Sequence, residues 1–271
     1  MRVLSLVQML SESDAFRGYY PTEVTLNQQE HLITEDGGLV GAAYKYKKRY
    51  DPTVKILAIS DVVEPVLYGA SLSSYTDGVE AVISCGDLPF EYLEYVITFS
   101  GVPLYYVRGN HDPDEEKGVP AGCISLDGRV VDVGGLVLGG LSGTRWYSGG
   151  SNQYTERAMR RRARMLSARI SLGALGSRGR PDVFVTHAPP CGLGDREDPC
   201  HRGFEAFLPL IDRHEPSLWL HGHVHLYGPG VARRRVTSRG KTRVMNVYGH
   251  QILEVPGPET ARGVAGLKSR L

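Results

Sequence analysis

VKILAIS, at Val54–Ser60, is the stretch that decides the fold. It is short, apolar and rich in β-branched residues, and Asp61 follows it directly, which is typical of a buried strand. Two similar runs follow along the chain, AVIS at Ala81–Ser84 and PLYYVRG at Pro103–Gly109. Helix-like segments separate the three runs, the first of them at Pro65–Ser74. This alternation of strand and helix predicts parallel βαβ units.

The second half of the chain predicts a further sheet. Its first short strands suggest hairpins, a long amphipathic helix follows at Thr155–Leu175, and the closing strands look antiparallel. The strands predicted here are Cys123–Leu126, Arg129–Val133, Leu136–Gly140, Asp182–Thr186, Ser217–Leu220, Val231–Val236, Thr242–Val247 and Gln251–Val255. We therefore predict an α/β fold in which a two-sheet sandwich flanked by helices occupies residues 51–271. Residues 1–50 are predicted to form an N-terminal extension.

The composition excludes several classes of protein. Lys and Arg total 31 against 30 Asp and Glu, so bulk charge does not drive binding to nucleic acid or to anionic membranes. No apolar run approaches the ~20 residues that span a bilayer. The 4 cysteines contain no CxxC pair and are too few for a disulfide framework in 271 residues. We expect a cytoplasmic protein with reduced thiols and no membrane partner.

Side chains that bind metals stand at the ends of five predicted strands. They are Asp61, Asp87, the group Asn110-His111-Asp112, His187, and the group His221, His223 and His225. Ligands of an open α/β sheet bind beyond the carboxyl ends of its strands, so we expect these side chains to converge. Carboxylate, amide oxygen and neutral imidazole together suit divalent manganese, iron, zinc or cobalt. Two such ions ~3.5–4 Å apart would polarise a phosphoryl group and lower the pKa of a bridging water.

The ordered motifs resemble the calcineurin-like metallophosphoesterases, and in particular their small phosphodiesterase-type members. The resemblance runs from about Val54 to Val255 and includes the stretches THAPP at 186–190 and HGHVH at 221–225. It implies that residues 51–271 form an αββα metallophosphoesterase domain. It also implies a reaction, the hydrolysis of phosphodiester or phosphomonoester bonds by attack of a metal-bound hydroxide on a small phosphoester substrate.

The resemblance further implies roles for individual residues. The bridging carboxylate of Asp87 is shared by two divalent metal ions. Asn110, His187 and His223 complete one ligand set, whereas Asp61 and His225 belong to the other. His111 is implied to contact the scissile phosphate and to protonate the leaving oxygen, with Asp112 orienting it.

One departure from the family pattern concerns the first motif. The family has Asp-x-His, and this chain has Asp61-Val62-Val63. Valine does not ligate a metal, so the site that contains Asp61 and His225 loses one imidazole. Glu64 is the candidate substitute ligand, directly or through water, and the alternative is that it is a carboxylate at a helix N-terminus. We predict that the Asn110–His187–His223 site binds metal tightly and that its neighbour binds loosely.

Two further residues are candidates for substrate binding. Arg145 lies in a glycine-rich passage and could hold a phosphate oxygen with its planar guanidinium group. Trp146 and Tyr147 follow it, and either these rings stack on a base or they anchor the core. His201 lies in the loop that matches the substrate side of the family.

Two other functions stay open. The helix at Thr155–Leu175 carries six arginines between Arg157 and Arg169, which would suit a nuclease, but apolar residues at helical spacing favour a merely solvated arginine face. The replacement at Val63 leaves open a metal-impaired relative that serves as a binding or scaffold protein. A small-molecule phosphoesterase is the favoured interpretation.

Overall fold

The computed structural model of the chain describes residues 53–173, 180–228 and 235–257. The predicted extension at residues 1–50 lies outside these residues, as does the first part of the strand predicted at Val231–Val236. The strands are β1 (Thr53–Ser60), β2 (Ala81–Ser84), β3 (Leu104–Tyr106), β4 (Ile124–Ser125), β5 (Val130–Val133), β6 (Leu136–Leu141), β7 (Thr144–Arg145), β8 (Gln153–Tyr154), β9 (Val183–Thr186), β10 (Leu218–His221), β11 (Val236–Arg239), β12 (Thr242–Asn246) and β13 (Gly249–Pro256). The α-helices are α1 (Leu72–Thr76), α2 (Phe90–Ser100), α3 (Glu156–Gly173) and α4 (Leu208–His214). Short 3₁₀ helices lie at Pro65–Leu67, Glu115–Lys117 and Glu205–Phe207.

Two mixed sheets form the centre of the fold. The first has the strand order β13-β1-β2-β3-β4, in which β1 to β4 are parallel and β13 is antiparallel to β1. The second has the order β11-β12-β10-β9-β6-β5, with four parallel strands between two antiparallel edge strands. The carboxyl ends of the parallel strands within each sheet lie at one edge, and the polar loops begin there.

Three apolar layers hold the sandwich together. The middle layer joins the two sheets, for example through Ile56 and Ile83 of the first sheet and Val185 and Leu220 of the second, all of which are buried. A second layer packs α3 and α4 on the outer face of the second sheet, and a third packs α1 and α2 on the first. The predicted two-sheet sandwich with outer helices is therefore confirmed.

The long helix α3 shows how the sequence pattern produces a layer. Its buried residues are Met159, Ala163, Leu166 and Ile170, which recur at the helical spacing and form its apolar stripe. The arginines occupy the other faces of the helix. No helix in the described part of the chain has both the length and the apolar content needed to cross a bilayer.

Two local predictions were wrong. The helix expected at Pro65–Ser74 is a 3₁₀ turn followed by the short helix α1, because Gly69 lies between them and weakens a continuous helix. β4 does not form a hairpin with β5. Instead it pairs in parallel with β3, and a tight turn closed by Arg129 N–H on Leu126 O carries the chain into the second sheet.

Candidate metal centre

The loops after three strands turn sharply and bring their side chains together. Asp61, Asp87 and His223 all adopt left-handed backbone angles, with φ of 66°, 57° and 65°. For a residue with a Cβ this conformation costs about 1–2 kcal/mol of free energy, so local contacts must stabilise it. The His223 N–H donates to both carboxylate oxygens of Asp61, at 3.0 and 3.1 Å, and thereby joins the loops after β1 and β10.

Asp87, His187 and His223 form the centre of the site. One potential ligand atom from each residue lies within 4.8 Å of the other two. His187 Nδ1 donates to the Cys85 carbonyl at 2.7 Å, so Nε2 is the nitrogen that remains for another partner. This Nε2 faces Asp87 Oδ2 at 3.1 Å. At this distance either a proton on Nε2 or a metal ion bound by both atoms stabilises the pair.

His223 is oriented in the same way by a backbone carbonyl. Its Nε2 donates to the Cys200 carbonyl at 2.7 Å, so Nδ1 is the nitrogen that remains for a ligand. The rings of His187 and His223 lie 5.0 Å apart. Each imidazole therefore has one nitrogen fixed by the main chain and the other available to a metal.

Asn110 is the predicted fourth donor, and the backbone N–H of the next residue, His111, donates to Asp87 Oδ1. Asn110 is buried, and its Nδ2 donates to the Tyr147 hydroxyl at 3.1 Å. Its Oδ1 is also buried and has no hydrogen-bond partner among the described residues. A buried acceptor without a partner costs about 1–3 kcal/mol, and a bound cation would remove that cost.

The electrostatics of the centre fit a cation. Burial alone would raise the pKa of Asp87, but His187 and the His111 N–H outweigh it and lower the pKa to about 2. Burial lowers the pKa of His223 to about 3, and His187 adds to this shift. In His187, burial opposes the charged form, yet Asp87 raises the pKa to about 9. The carboxylate thus stays ionised and attracts positive charge to the His187 ring.

Asp61 and His225 lie at the neighbouring position. The Asp61 carboxylate is buried, and its Oδ1 lies 3.7 Å from His225 Nε2. Val63, at the place of the family histidine, is 38% exposed. The carboxylate of Glu64 faces His250, with Oε1 at 3.4 Å from Nδ1. The role of Glu64 as a substitute ligand therefore stays a prediction, because the structure pairs its carboxylate with His250.

His111 and Asp112 differ in their surroundings. His111 is exposed, and its backbone N–H donates to Asp87 Oδ1 at 2.8 Å. Asp112 is buried, and its Oδ2 accepts the N–H groups of Asp87 at 2.8 Å and Gly109 at 2.7 Å. Burial raises the pKa of Asp112 to about 6 although these donors oppose it. Asp112 thus ties together the loops after β2 and β3, and the proposed proton transfer by His111 stays a prediction.

Arg145 and His201 both contact or belong to the loop after β9. Arg145 Nη1 donates to the Gly203 carbonyl at 3.3 Å and lies 3.8 Å from Glu156 Oε2. The His201 ring lies 5.1 Å from that of His223, and its Nδ1 pairs with Asp198 at 2.8 Å. Their roles in substrate binding stay predictions.

Several neighbours of the centre have little signal in the sequence. Cys85 and Cys200 act through backbone carbonyls, which carry no side-chain signal. Tyr227 contacts His225 Nδ1 through its hydroxyl at 3.0 Å, and Tyr248 packs its ring 4.9 Å from the His225 ring. The one signal that the sequence offers for these two tyrosines is that they lie close to the HGHVH motif and to Asn246.

The residues present fit a divalent metal ion. One carboxylate, one amide oxygen and two imidazole nitrogens form a donor set that borderline divalent metals prefer. Asp87 Oδ2 and His187 Nε2 face each other at 3.1 Å, and the buried Asn110 Oδ1 has no partner among the described residues, so a bound cation would stabilise both. All four cysteines are unpaired, as predicted.

Comparison with known proteins gives evidence on the family of this chain. The family model of calcineurin-like phosphoesterases matches residues 55–227. A solved crystal structure shares 17% identity with a TM-score of 0.53 and is matched over 74% of this chain and 95% of its own.

Other solved structures are less similar. TT1561 of Thermus thermophilus has 16% identity and a TM-score of 0.49 over 73% of this chain and 90% of its own. Zinc-complexed Vps29 from Entamoeba histolytica has 12% identity and a TM-score of 0.36 over 72% and 74% of the two chains. No curated protein sequence matches this chain. Because the family model spans more than half of the chain and the fold agrees with it, the chain belongs to the calcineurin-like phosphoesterase family.

Proposed function

We propose that this chain is a metal-dependent phosphoesterase that hydrolyses phosphodiester or phosphomonoester bonds of small molecules. The observation that carries the proposal is the cluster of Asp87, His187 and His223, in which one potential ligand atom from each residue lies within 4.8 Å of the others. The buried Asn110 Oδ1, which has no partner among the described residues, supports it. A purely structural asparagine in this position would leave its acceptor unsatisfied at a cost.

The chemistry divides between the bound ions and the chain. Divalent ions in the centre would polarise the phosphoryl group and supply a deprotonated water near neutral pH. The carboxylates of Asp61 and Asp87 hold the positive charge in place. To His111, which is exposed and donates its backbone N–H to Asp87 Oδ1, we assign the donation of a hydrogen bond from its ring to a phosphate or leaving oxygen.

The direct test is hydrolysis of an aryl phosphodiester, bis(p-nitrophenyl) phosphate, in the presence of Mn²⁺. We expect metal-dependent turnover in the wild type and its loss in Asn110→Ala, because that variant removes one ligand atom without changing the charge of the centre. Turnover that survives in Asn110→Ala would contradict the assignment. A wild type that binds Mn²⁺ without turnover on mono- and diester probes would favour the scaffold function that Val63 leaves open.

A nuclease is the second candidate, and the exposed side of α3 favours it. Arg157, Arg161 and Arg164 lie on this helix, and their positions place them on neighbouring turns. A nucleic-acid backbone would bind there with strong salt dependence. Single-stranded DNA or RNA that competes with the aryl substrate at low salt but not at high salt would support this candidate over a small-molecule substrate.

Restoring the family histidine should strengthen the weaker metal site. In Val63→His we expect the loosely bound metal to bind about tenfold tighter or more, because an imidazole joins Asp61 and His225. Titration calorimetry of the metal-free protein with Mn²⁺ measures this change. Val62→His is the matched control, since it adds the same ring one residue away. Equal affinity in Val63→His and wild type, or the same gain in both variants, would contradict the prediction.

A further inference from the structure

We propose that two tyrosines outside the ligand set, Tyr147 and Tyr227, are positioning residues for the two metal sites. Tyr147 fixes the amide of Asn110, and Tyr227 fixes the ring of His225. The proposal rests on the metal centre described under the proposed function. It pairs one tyrosine hydroxyl with one ligand of each metal site.

The contact of Tyr147 holds the NH₂ end of the Asn110 amide. An amide side chain has an oxygen end and an NH₂ end, and only the oxygen binds a cation. Because the Tyr147 hydroxyl accepts the Nδ2 hydrogen at 3.1 Å, the buried Oδ1 remains for the metal. Without the phenol, the amide loses the contact that distinguishes its two ends.

The loop that carries Tyr147 is held firmly enough for this task. The backbone N–H groups of Tyr147, Ser148 and Gly149 all donate to Gln153 Oε1, at 3.1, 3.0 and 3.1 Å. Gln153 itself is buried. Three backbone N–H groups that share one acceptor hold the turn in place, and this positions the Tyr147 hydroxyl for its contact with Asn110.

Tyr227 performs the equivalent task at the other site. Its hydroxyl lies 3.0 Å from His225 Nδ1, so Nε2 is the nitrogen directed to Asp61. The Tyr227 ring stands edge-on to His225 at 87°, and Tyr248 lies against the same ring at 34°. Because Val63 removes the other expected imidazole, the orientation of His225 matters more here than in a relative with both.

The test is a pair of conservative variants, Tyr147→Phe and Tyr227→Phe, titrated with Mn²⁺ by calorimetry from the metal-free state. Each variant keeps its ring and loses only the hydroxyl, and each is the control for the other. We expect about 10–100-fold weaker binding of the tight metal in Tyr147→Phe with the loose metal unchanged, and the reverse in Tyr227→Phe. Thermal unfolding of the metal-free proteins should be the same as in the wild type.

The possible outcomes distinguish a failure of this proposal from a failure of the proposed function. Wild-type protein that binds no Mn²⁺ would overturn the metal centre and both assignments with it. If the wild type binds Mn²⁺ normally and Tyr147→Phe keeps the affinity of the tight site, the assignment of Tyr147 alone is overturned. If Tyr227→Phe keeps the affinity of the loose site, the assignment of Tyr227 is overturned. A variant in which both events weaken together, or whose metal-free form melts earlier, shows a structural role instead of a positioning role.

Discussion

Asp87→Asn should lower the Mn²⁺-dependent hydrolysis of an aryl phosphodiester by on the order of 1,000-fold, because several kcal/mol of charge stabilisation depend on the metals that Asp87 holds. The substitution removes the charge at the point shared by both ligand sets. It also places an amide N–H beside His187 Nε2, which lies 3.1 Å from Oδ2 in the wild type. That N–H would occupy the lone pair that the metal needs.

The fold should tolerate this change. Asparagine keeps an oxygen for the His111 N–H, which donates to Asp87 Oδ1 at 2.8 Å. Asp132→Asn is the matched control, since Asp132 is exposed on β5 and caps the Gly135 N–H at 2.8 Å, a contact that asparagine retains. Activity that is similar in Asp87→Asn and Asp132→Asn would contradict a role for the Asp87 charge.

Gly109→Ala should abolish tight metal binding by a purely steric route. A Cβ at Gly109 would lie 2.0 Å from Asp87 Oδ1 and 2.6 Å from His187 Cε1, so both ligands would have to move. Misplacing a reacting group by about 1 Å costs on the order of 100-fold in rate, and here two ligands shift together. Calorimetry with Mn²⁺ measures the loss of metal affinity, and turnover of the aryl diester measures the loss of rate.

A second glycine provides the control for the added methyl group. A Cβ at Gly69 would meet its nearest atom, Pro65 O, at 3.9 Å, which is ordinary contact. Gly69→Ala should therefore bind metal as the wild type does. Overpacking at Gly109 also costs about 1–3 kcal/mol of stability, so thermal unfolding is measured on both variants. Folded Gly109→Ala protein with unchanged metal affinity would show that the ligands are not packed as described.

The strands and the closeness of Asp87, His187 and His223 could be predicted because two local signals coincide. Short β-branched runs such as Val54–Ser60 and Ala81–Ser84 can hardly form anything other than buried strands in this context, and Asp61 and Asp87 follow them closely. The carboxyl ends of parallel strands meet at one edge, so the polar residues had to converge. The buried stripe of α3 was equally readable from its 3.6-residue period.

The rest depends on contacts between residues distant in sequence. The carbonyls of Cys85 and Cys200 orient His187 and His223 across separations of 102 and 23 residues, and no sequence pattern encodes such a contact. The Asp112 carboxylate accepts the N–H groups of Gly109 and Asp87, and no sequence pattern predicts these contacts. Burial within a tight loop favours backbone donors there, because every N–H at a turn must find an acceptor.

The short elements were missed for a related reason. β7 and β8 contain two residues each, at Thr144–Arg145 and Gln153–Tyr154, and are formed by a loop that closes on Gln153. Neither hydrophobic period nor length distinguishes such pairs from loops. The loop between them carries Tyr147, whose hydroxyl accepts the Asn110 Nδ2 hydrogen, and no sequence pattern indicates this contact.

Crystals grown with Mn²⁺ and recorded at a wavelength where manganese scatters anomalously provide the most direct measurement. The difference map should contain a strong peak coordinated by Asp87, Asn110 Oδ1, His187 Nε2 and His223 Nδ1, and a weaker one beside Asp61 and His225. A map from manganese-saturated crystals with no peak among the first four residues would contradict the metal centre on which this function depends.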